Sequence, residues 1–175
     1  MAQYPHELSG GMRQRVMIAI GLMGEPELII ADEPTSALDV TVQQQILRLL
    51  DGLSADSGAA VIFISHDVAV VAALCRRVLV MYAGRVVEEL DAGALLGGAA
   101  HPYTRALVAS VPDMAADRSR PLATIPGRPP EPHEVGDGCA FAARCAYAGA
   151  RCFVETPALR ELRVRQRVAC WFPQA

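Results

Sequence analysis

Two kinds of apolar pattern alternate between residues 28 and 65. Leu28-Ile29-Ile30-Ala31 and the stretch from Ala59 to Ser65 are short continuous runs, whereas Val42, Ile46, Leu49, Leu50 and Leu53 recur at the spacing of one helical face. Continuous runs of this length suit strands buried on both faces, and the 3.6-residue spacing suits an amphipathic helix. Strand, helix, strand in that order predicts a right-handed crossover and a parallel pair. Upstream, the segment from Met12 to Met23 is rich in helix formers and follows Ser9-Gly10-Gly11, a plausible helix start. Downstream, Asp67 to Leu74 predicts another helix, and Val78 to Tyr82 and Arg85 to Glu89 predict two strands hinged at Ala83-Gly84. The expected fold class is α/β, the later half of such a domain.

The pattern weakens after residue 98, and composition changes with it. Residues 1–98 hold 6 Arg against 12 acids, and residues 99–175 hold 10 Arg against 7 acids and nine of the twelve prolines. Ile125-Pro126-Gly127-Arg128-Pro129-Pro130 cannot sustain a helix or a central strand. A domain change is expected near residue 98, with an extended connector over 112–137. The net charge of -3 advertises no affinity for nucleic acid. No uncharged apolar stretch reaches the roughly 18 residues of a spanning helix, and the start lacks the features of a secretory signal, so a cytoplasmic protein is expected.

Chemistry enters at the strand ends. Asp32 and Glu33 follow the first apolar run directly, and Ser65-His66-Asp67 follows the second, so both groups should emerge at the carboxyl edge of the sheet, where open α/β sheets bind ligands. Two acids and a histidine there suit a metal-nucleotide site. Taken singly, each group is better explained by capping, Asp32 and Glu33 the next turn and His66 a helix. Leu8-Ser9-Gly10-Gly11 before a helix offers a hydroxyl, unobstructed N–H groups and a positive helix end to an anion, although Gly-Gly before a helix is often a tight turn.

Taken together, Leu8-Ser9-Gly10-Gly11-Met12-Arg13-Gln14-Arg15, then Leu28 to Asp39, then Ser65-His66-Asp67 resemble the ATP-binding subunits of ABC transporters. The resemblance implies the C-terminal half of a P-loop NTPase domain. Ser9, Gly10 and Gly11 then belong to the signature motif, Asp32 and Glu33 to Walker B, Ser36 to Asp39 to the D-loop, and His66 is the switch histidine. Met12 departs from the glutamine of many relatives but leaves the Ser and Gly apparatus intact. The implied cofactors are ATP and Mg2+: Asp32 holds the metal through its water shell, Glu33 is the general base, and His66 contacts the γ-phosphate. Ser9, Gly10 and Gly11 close on ATP carried by a second ATPase subunit, and Asp39 couples the two sites. All 16 basic residues are arginine, so the 175 residues hold no Gly-x-x-x-x-Gly-Lys-Ser/Thr loop, and the Q-loop glutamine and adenine-stacking aromatic are not identifiable. Residue 1 is therefore expected to fall in mid-domain, and the chain by itself to bind ATP weakly or not at all.

His101-Pro102-Tyr103, Ile125-Pro126-Gly127 and Gly138-Cys139-Ala140-Phe141-Ala142-Ala143-Arg144-Cys145 narrow the resemblance to the oligopeptide and dipeptide importer ATPases and their C-terminal extension. This implies peptide uptake, with two membrane permeases, an extracytoplasmic binding protein and a peripheral position on the inner membrane face. Nickel importers share the extension, and a stand-alone metal-binding fragment is a further possibility. Soluble ABC ATPases of DNA repair or translation carry a coiled-coil insertion or basic arm that is missing here. Cys139, Cys145, Cys152 and Cys170 do not follow paired C-x2-C knuckle spacing. The resemblance implies a [4Fe-4S] cluster on these four, with zinc or plain packing as alternatives. Arg144, Arg151, Arg160, Arg163, Arg165 and Arg167 would offset its charge, or form a solvated helix face. Cys75, alone on a predicted helix, is expected to be packing.

Overall fold

The computed structural model describes residues 4–36, 38–111 and 124–174, with side chains left out over 53–57. Residues 112–123 of the expected connector, Ala37 and the Leu53 side chain lie outside the described residues. The chain divides into two compact units, Met1–Val70 and Val71–Ala175.

The first unit follows the apolar pattern closely. Helix α1 spans Gly10–Leu22, strand β1 Leu28–Asp32, helix α2 Val40–Ser57 and strand β2 Ala60–Ile64. The helix starts have visible causes. The Ser9 hydroxyl accepts from Met12 N–H (3.3 Å) and the Asp39 carboxylate from Val42 N–H (2.9 Å), each satisfying an otherwise unpaired first-turn donor. β1 and β2 pair in parallel, Leu28 opposite Ala60 through Asp32 opposite Ile64. Ala31, Ile46 and Leu50 form the core, with Ile18, Leu38, Val42 and Phe63 packed against them. Large apolar side chains stay exposed in two places: Met17, Ile20 and Met23 on α1, and Ile30, Ile62 and Ile64 on the strands, opposite in the pleat to Ala31 and Phe63. Parallel strands are normally covered on both faces, so the strand face carrying Ile30, Ile62 and Ile64 is an apolar surface of the kind that is normally covered.

The second unit is built on an antiparallel sheet in the order β3-β4-β6-β5, from β3 (Arg77–Tyr82), β4 (Arg85–Asp91), β5 (Arg160–Arg163) and β6 (Gln166–Val168). The division between the units falls within helix α3 (Val68–Leu74), which Asp67 caps by accepting from Ala69 and Val70 N–H. Ala83 and Gly84, at φ 46° and 76°, form the tight hairpin turn whose twist suits two antiparallel strands. Along β3 burial alternates strictly, with Val78, Val80 and Tyr82 inward. Helices α4 (Ala92–Gly98) and α5 (Pro102–Ala109) follow.

β6 of the extension pairs with β4, Glu88 opposite Val168 and Glu89 opposite Arg167, so the sheet of the second unit draws strands from both sides of residue 98. Glu88 is fully buried at this seam. Its carboxylate accepts from Ala100 N–H (2.7 Å), His101 N–H (3.0 Å) and Gln166 Nε2 (2.8 Å), joining β4, β6 and the start of α5 through one side chain. The arginine run from Arg160 to Arg167, expected to offset cluster charge or else to form a solvated helix face, lies on the β5–β6 hairpin and not on a helix. Arg165 pairs with Asp91 and Arg167 with Glu89 on β4, and Arg160 lies over the Trp171 ring, so these charges are committed to the sheet. Arg144 likewise serves as a tether, donating to the Ile125 and Pro126 carbonyls and to the Tyr82 hydroxyl.

Candidate functional site

The parallel register of β1 and β2 brings the two strand ends together. Glu33 N–H donates to the Ile64 carbonyl at 3.0 Å, continuing the ladder one step past Asp32. His66 Nδ1 then lies 2.8 Å from Glu33 Oε1, and the Ser36 hydroxyl donates to Glu33 Oε2 at 2.8 Å. Glu33 sits at φ 45°, a left-handed conformation that a side-chain-bearing residue adopts at a cost, and such strain clusters at functional positions. Asp32 is exposed beside it.

The pair polarises both members. The hydrogen bond from His66, with that from Ser36, lowers the Glu33 pKa below 4.5, and the Glu33 carboxylate raises the His66 pKa above 6.5. The raised histidine contributes fully below pH 6.5 and loses its contribution as pH rises through its raised value. The lowered carboxylate contributes above pH 4.5 and loses it as pH falls through its lowered value. The expected result is an NMR titration of His66 with a midpoint above 6.5 that falls back toward 6.5 in Glu33→Gln; an unchanged midpoint in the variant would refute the pairing.

Ser9 and Gly10 are exposed at the start of α1. A Cβ on Gly11 would stand 2.6 Å from Val42 Cγ1, so this glycine has a packing reason as well: it lets α1 approach α2. Asp39 spends its side chain on the α2 cap.

In the second unit Cys139, Cys145, Cys152 and Cys170 line one cavity, together with His101, Phe141, Trp171 and Phe172. All four are free thiols. Three are met by backbone N–H groups two residues on: Phe141 (with Ala142) at Cys139, Tyr147 at Cys145 and Phe172 at Cys170, each favouring thiolate. Burial outweighs these donors and pushes the three thiols up, Cys170 to about 11, with the neighbouring thiols adding to the rise. Gly138 is obligatory here, because a Cβ would meet the Cys152 and Phe153 carbonyl groups at 2.7 to 2.8 Å. Among the described residues no three His, Cys, Asp or Glu side chains group so as to hold a single metal ion. The arrangement therefore gives the zinc alternative no support. The same finding gives the four-cysteine cluster no support either, although the four thiols line one cavity. Arg151 stacks on Trp171, 3.4 Å from the ring centroid, and pairs with Glu155. Cys75 stands apart from the cavity, its thiol raised by burial.

The sequence reading missed Glu88, Trp171 and the inward role of His101. Two adjacent acids in the middle of a strand, Glu88-Glu89, were the available sign, since one of them had to face the core.

Residues 1–36 match the family "ABC transporter" and residues 87–152 the family "Oligopeptide/dipeptide transporter, C-terminal region". Over 168 residues the chain is 54% identical to the "Probable peptide ABC transporter ATP-binding protein y4tR" of Sinorhizobium fredii, covering 96% of this chain and 50% of that protein. It is 53% identical over 175 residues to the "Probable D,D-dipeptide transport ATP-binding protein DdpD" of Escherichia coli, covering 99% and 53%. It is 48% identical over 170 residues to the "Dipeptide transport ATP-binding protein DppD" of the same organism, covering 97% and 52%. The chain spans about half the length of the curated relatives it matches. With a family match in each unit and this identity along almost all its length, the chain is similar to about half the length of ABC transporter ATP-binding proteins of the oligopeptide/dipeptide group.

Proposed function

We propose that these residues form the later half of the ATP-hydrolysing subunit of an importer that drives peptide uptake across the cytoplasmic membrane, lying peripherally on its inner face. The observation that carries this is the Glu33–His66 pair at adjoining ends of two parallel strands. The peptide and dipeptide names of the relatives support the substrate class. Residues 1–98 supply the nucleotide-binding half and residues 99–175 the extension. The phosphate loop and adenine platform come from the part of the relatives' length not spanned here, which would also cover the apolar strand face carrying Ile30, Ile62 and Ile64.

In this reading Asp32 holds Mg2+ through its water shell, and Glu33 takes the proton of the attacking water. His66 has two tasks in succession. While it pairs with Glu33 it keeps the carboxylate ionised but weakly basic; when it turns to the γ-phosphate of ATP, Glu33 loses its main acidifying partner and becomes a stronger base. Ser9, Gly10 and Gly11 approach ATP held by the second ATPase subunit, and Asp39 links the two sites. The remaining partners are two permeases and an external binding protein, with no nucleic acid.

The [4Fe-4S] cluster implied for the four cysteines forms no part of this reading.

The substrate class is tested on the complete transporter in membrane vesicles with its binding protein. Small peptides are expected to stimulate ATP hydrolysis several-fold. Stimulation by Ni2+ and not by peptides would replace this reading with metal uptake, and hydrolysis indifferent to both would overturn it.

A further inference from the structure

We infer that the second unit holds a binding site for the C-terminal residue of a short peptide, with the α-carboxylate on Arg85 and a small apolar side chain in the cavity beside it. The choice of a peptide as occupant rests on the function proposed above; the cavity and its charge do not.

The site arises where one strand outruns its neighbour. β6 pairs with β4 at Glu88 and Glu89, and Ala169 N–H donates to the Val87 carbonyl at 2.8 Å. From there β4 runs on to Arg85 with a strand partner, β3, on one side only. Beside that stretch lies a cavity of about 70 Å³, open to solvent and walled by Tyr82, Val87, Phe141, Pro157 and Leu159, with Arg85 the one charged residue of its lining.

The walls are fixed before any ligand arrives. Tyr82, Phe141 and Pro157 are buried, the two rings meet edge to face with centroids 5.2 Å apart, and Arg144 Nη1 donates to the Tyr82 hydroxyl at 3.2 Å. Arg85 is held at one corner, where Nη1 donates to Thr156 Oγ1 at 2.8 Å and that hydroxyl is itself spent on the Asp137 and Gly138 carbonyls. Among the described residues Arg85 has no carboxylate partner, unlike Arg77, Arg165 and Arg167 of the same sheet. A guanidinium carries five N–H donors in a fork that matches a carboxylate, so most of them stay unspent.

One positive charge beside apolar walls selects a monoanion with an apolar body, which inorganic phosphate lacks. Volume sets the size of that body. An apolar cavity of about 150 Å³ holds benzene, so this one takes a side chain of one to about three carbons and not an aromatic ring. A free amino acid carries its ammonium on the carbon next to the carboxylate, where it opposes the guanidinium; in a peptide that charge lies a residue further away.

The test titrates the full chain with Ala-Ala, read by calorimetry and by the methyl NMR signals of Val87 and Leu159. Saturable binding with Kd of about 1 to 5 mM that shifts both residues is expected. Ala-Ala amide, Ala-Phe and free alanine should each bind at least about tenfold more weakly, as should Ala-Ala to Arg85→Gln, and phosphate should not compete. Arg85 is exposed, so the variant should melt as wild type does, with Arg85→Lys, which keeps the charge but not the fork, binding between the two. Absence of saturable binding overturns the site, and so does equal affinity for the amide, for Ala-Phe or in Arg85→Gln. Free alanine bound as tightly as Ala-Ala overturns the peptide as occupant. None of these outcomes depends on ATP hydrolysis, so failure of this site and failure of the transport reading are told apart.

Discussion

Glutamine in place of Glu33 is expected to cut ATP turnover by the complete transporter by about 10²- to 10⁴-fold while ATP binding persists, the usual worth of a positioned general base. The substitution keeps the shape of the side chain and one oxygen for Ser36, so the strained turn at φ 45° has its partner still. What it removes is the carboxylate proposed to take a proton from water, together with the charge that raises His66. Steady-state hydrolysis beside equilibrium nucleotide binding separates the two effects. Turnover within a few-fold of wild type would exclude Glu33 as the base, and lost binding would assign it to the nucleotide instead.

Glu88→Ala should be the most damaging single change in the second unit. It strips acceptors from Ala100 N–H, His101 N–H and Gln166 Nε2 at once, in a place where water does not replace them. Each stranded donor costs about 1–3 kcal/mol, so a loss of roughly 3–5 kcal/mol is expected, a large part of a domain's stability. At about 4–8 °C per kcal/mol, the melting midpoint of this unit should fall by more than about 10 °C. Trp171, the one tryptophan of the chain, reports it by fluorescence. Glu88→Gln retains one oxygen and should fall between the two, while an unshifted melt in Glu88→Ala would mean that the seam is held by other contacts.

The first unit was legible because its causes are local. Continuous apolar runs marked β1 and β2, and Ser9 caps the helix start that Ser9-Gly10-Gly11 announced, as Asp39 and Asp67 do for the next two helices. The adjacency of Glu33 and His66 followed from topology, since a crossover puts both strand ends on one edge. The second unit was less legible because its causes are distant in sequence. Nothing near Arg160–Val168 marks a hairpin: the strands are short and rich in arginine, and they exist because β4, more than seventy residues earlier, offers Glu89 and Asp91 as partners. Glu88 could not be recognised as a buried hub, because its three donors come from 12, 13 and 78 residues away. Arg144 was expected to neutralise a cluster and instead ties Tyr82 to Ile125 and Pro126, a contact that sequence spacing does not encode. The convergence of four cysteines on one cavity lies between these cases: residue type suggested it, and long-range packing accomplishes it.

In the proposed function these residues complete an ATP site shared with a second subunit. The most direct measurement is the distance from Ser9 Oγ to the γ-phosphate in the complete Glu33→Gln transporter trapped with Mg-ATP. Hydrogen-bond reach, about 2.7–3.2 Å, to nucleotide held by the opposing subunit is the predicted result. Ser9 remote from every phosphate, or ATP enclosed by one subunit alone, would contradict it.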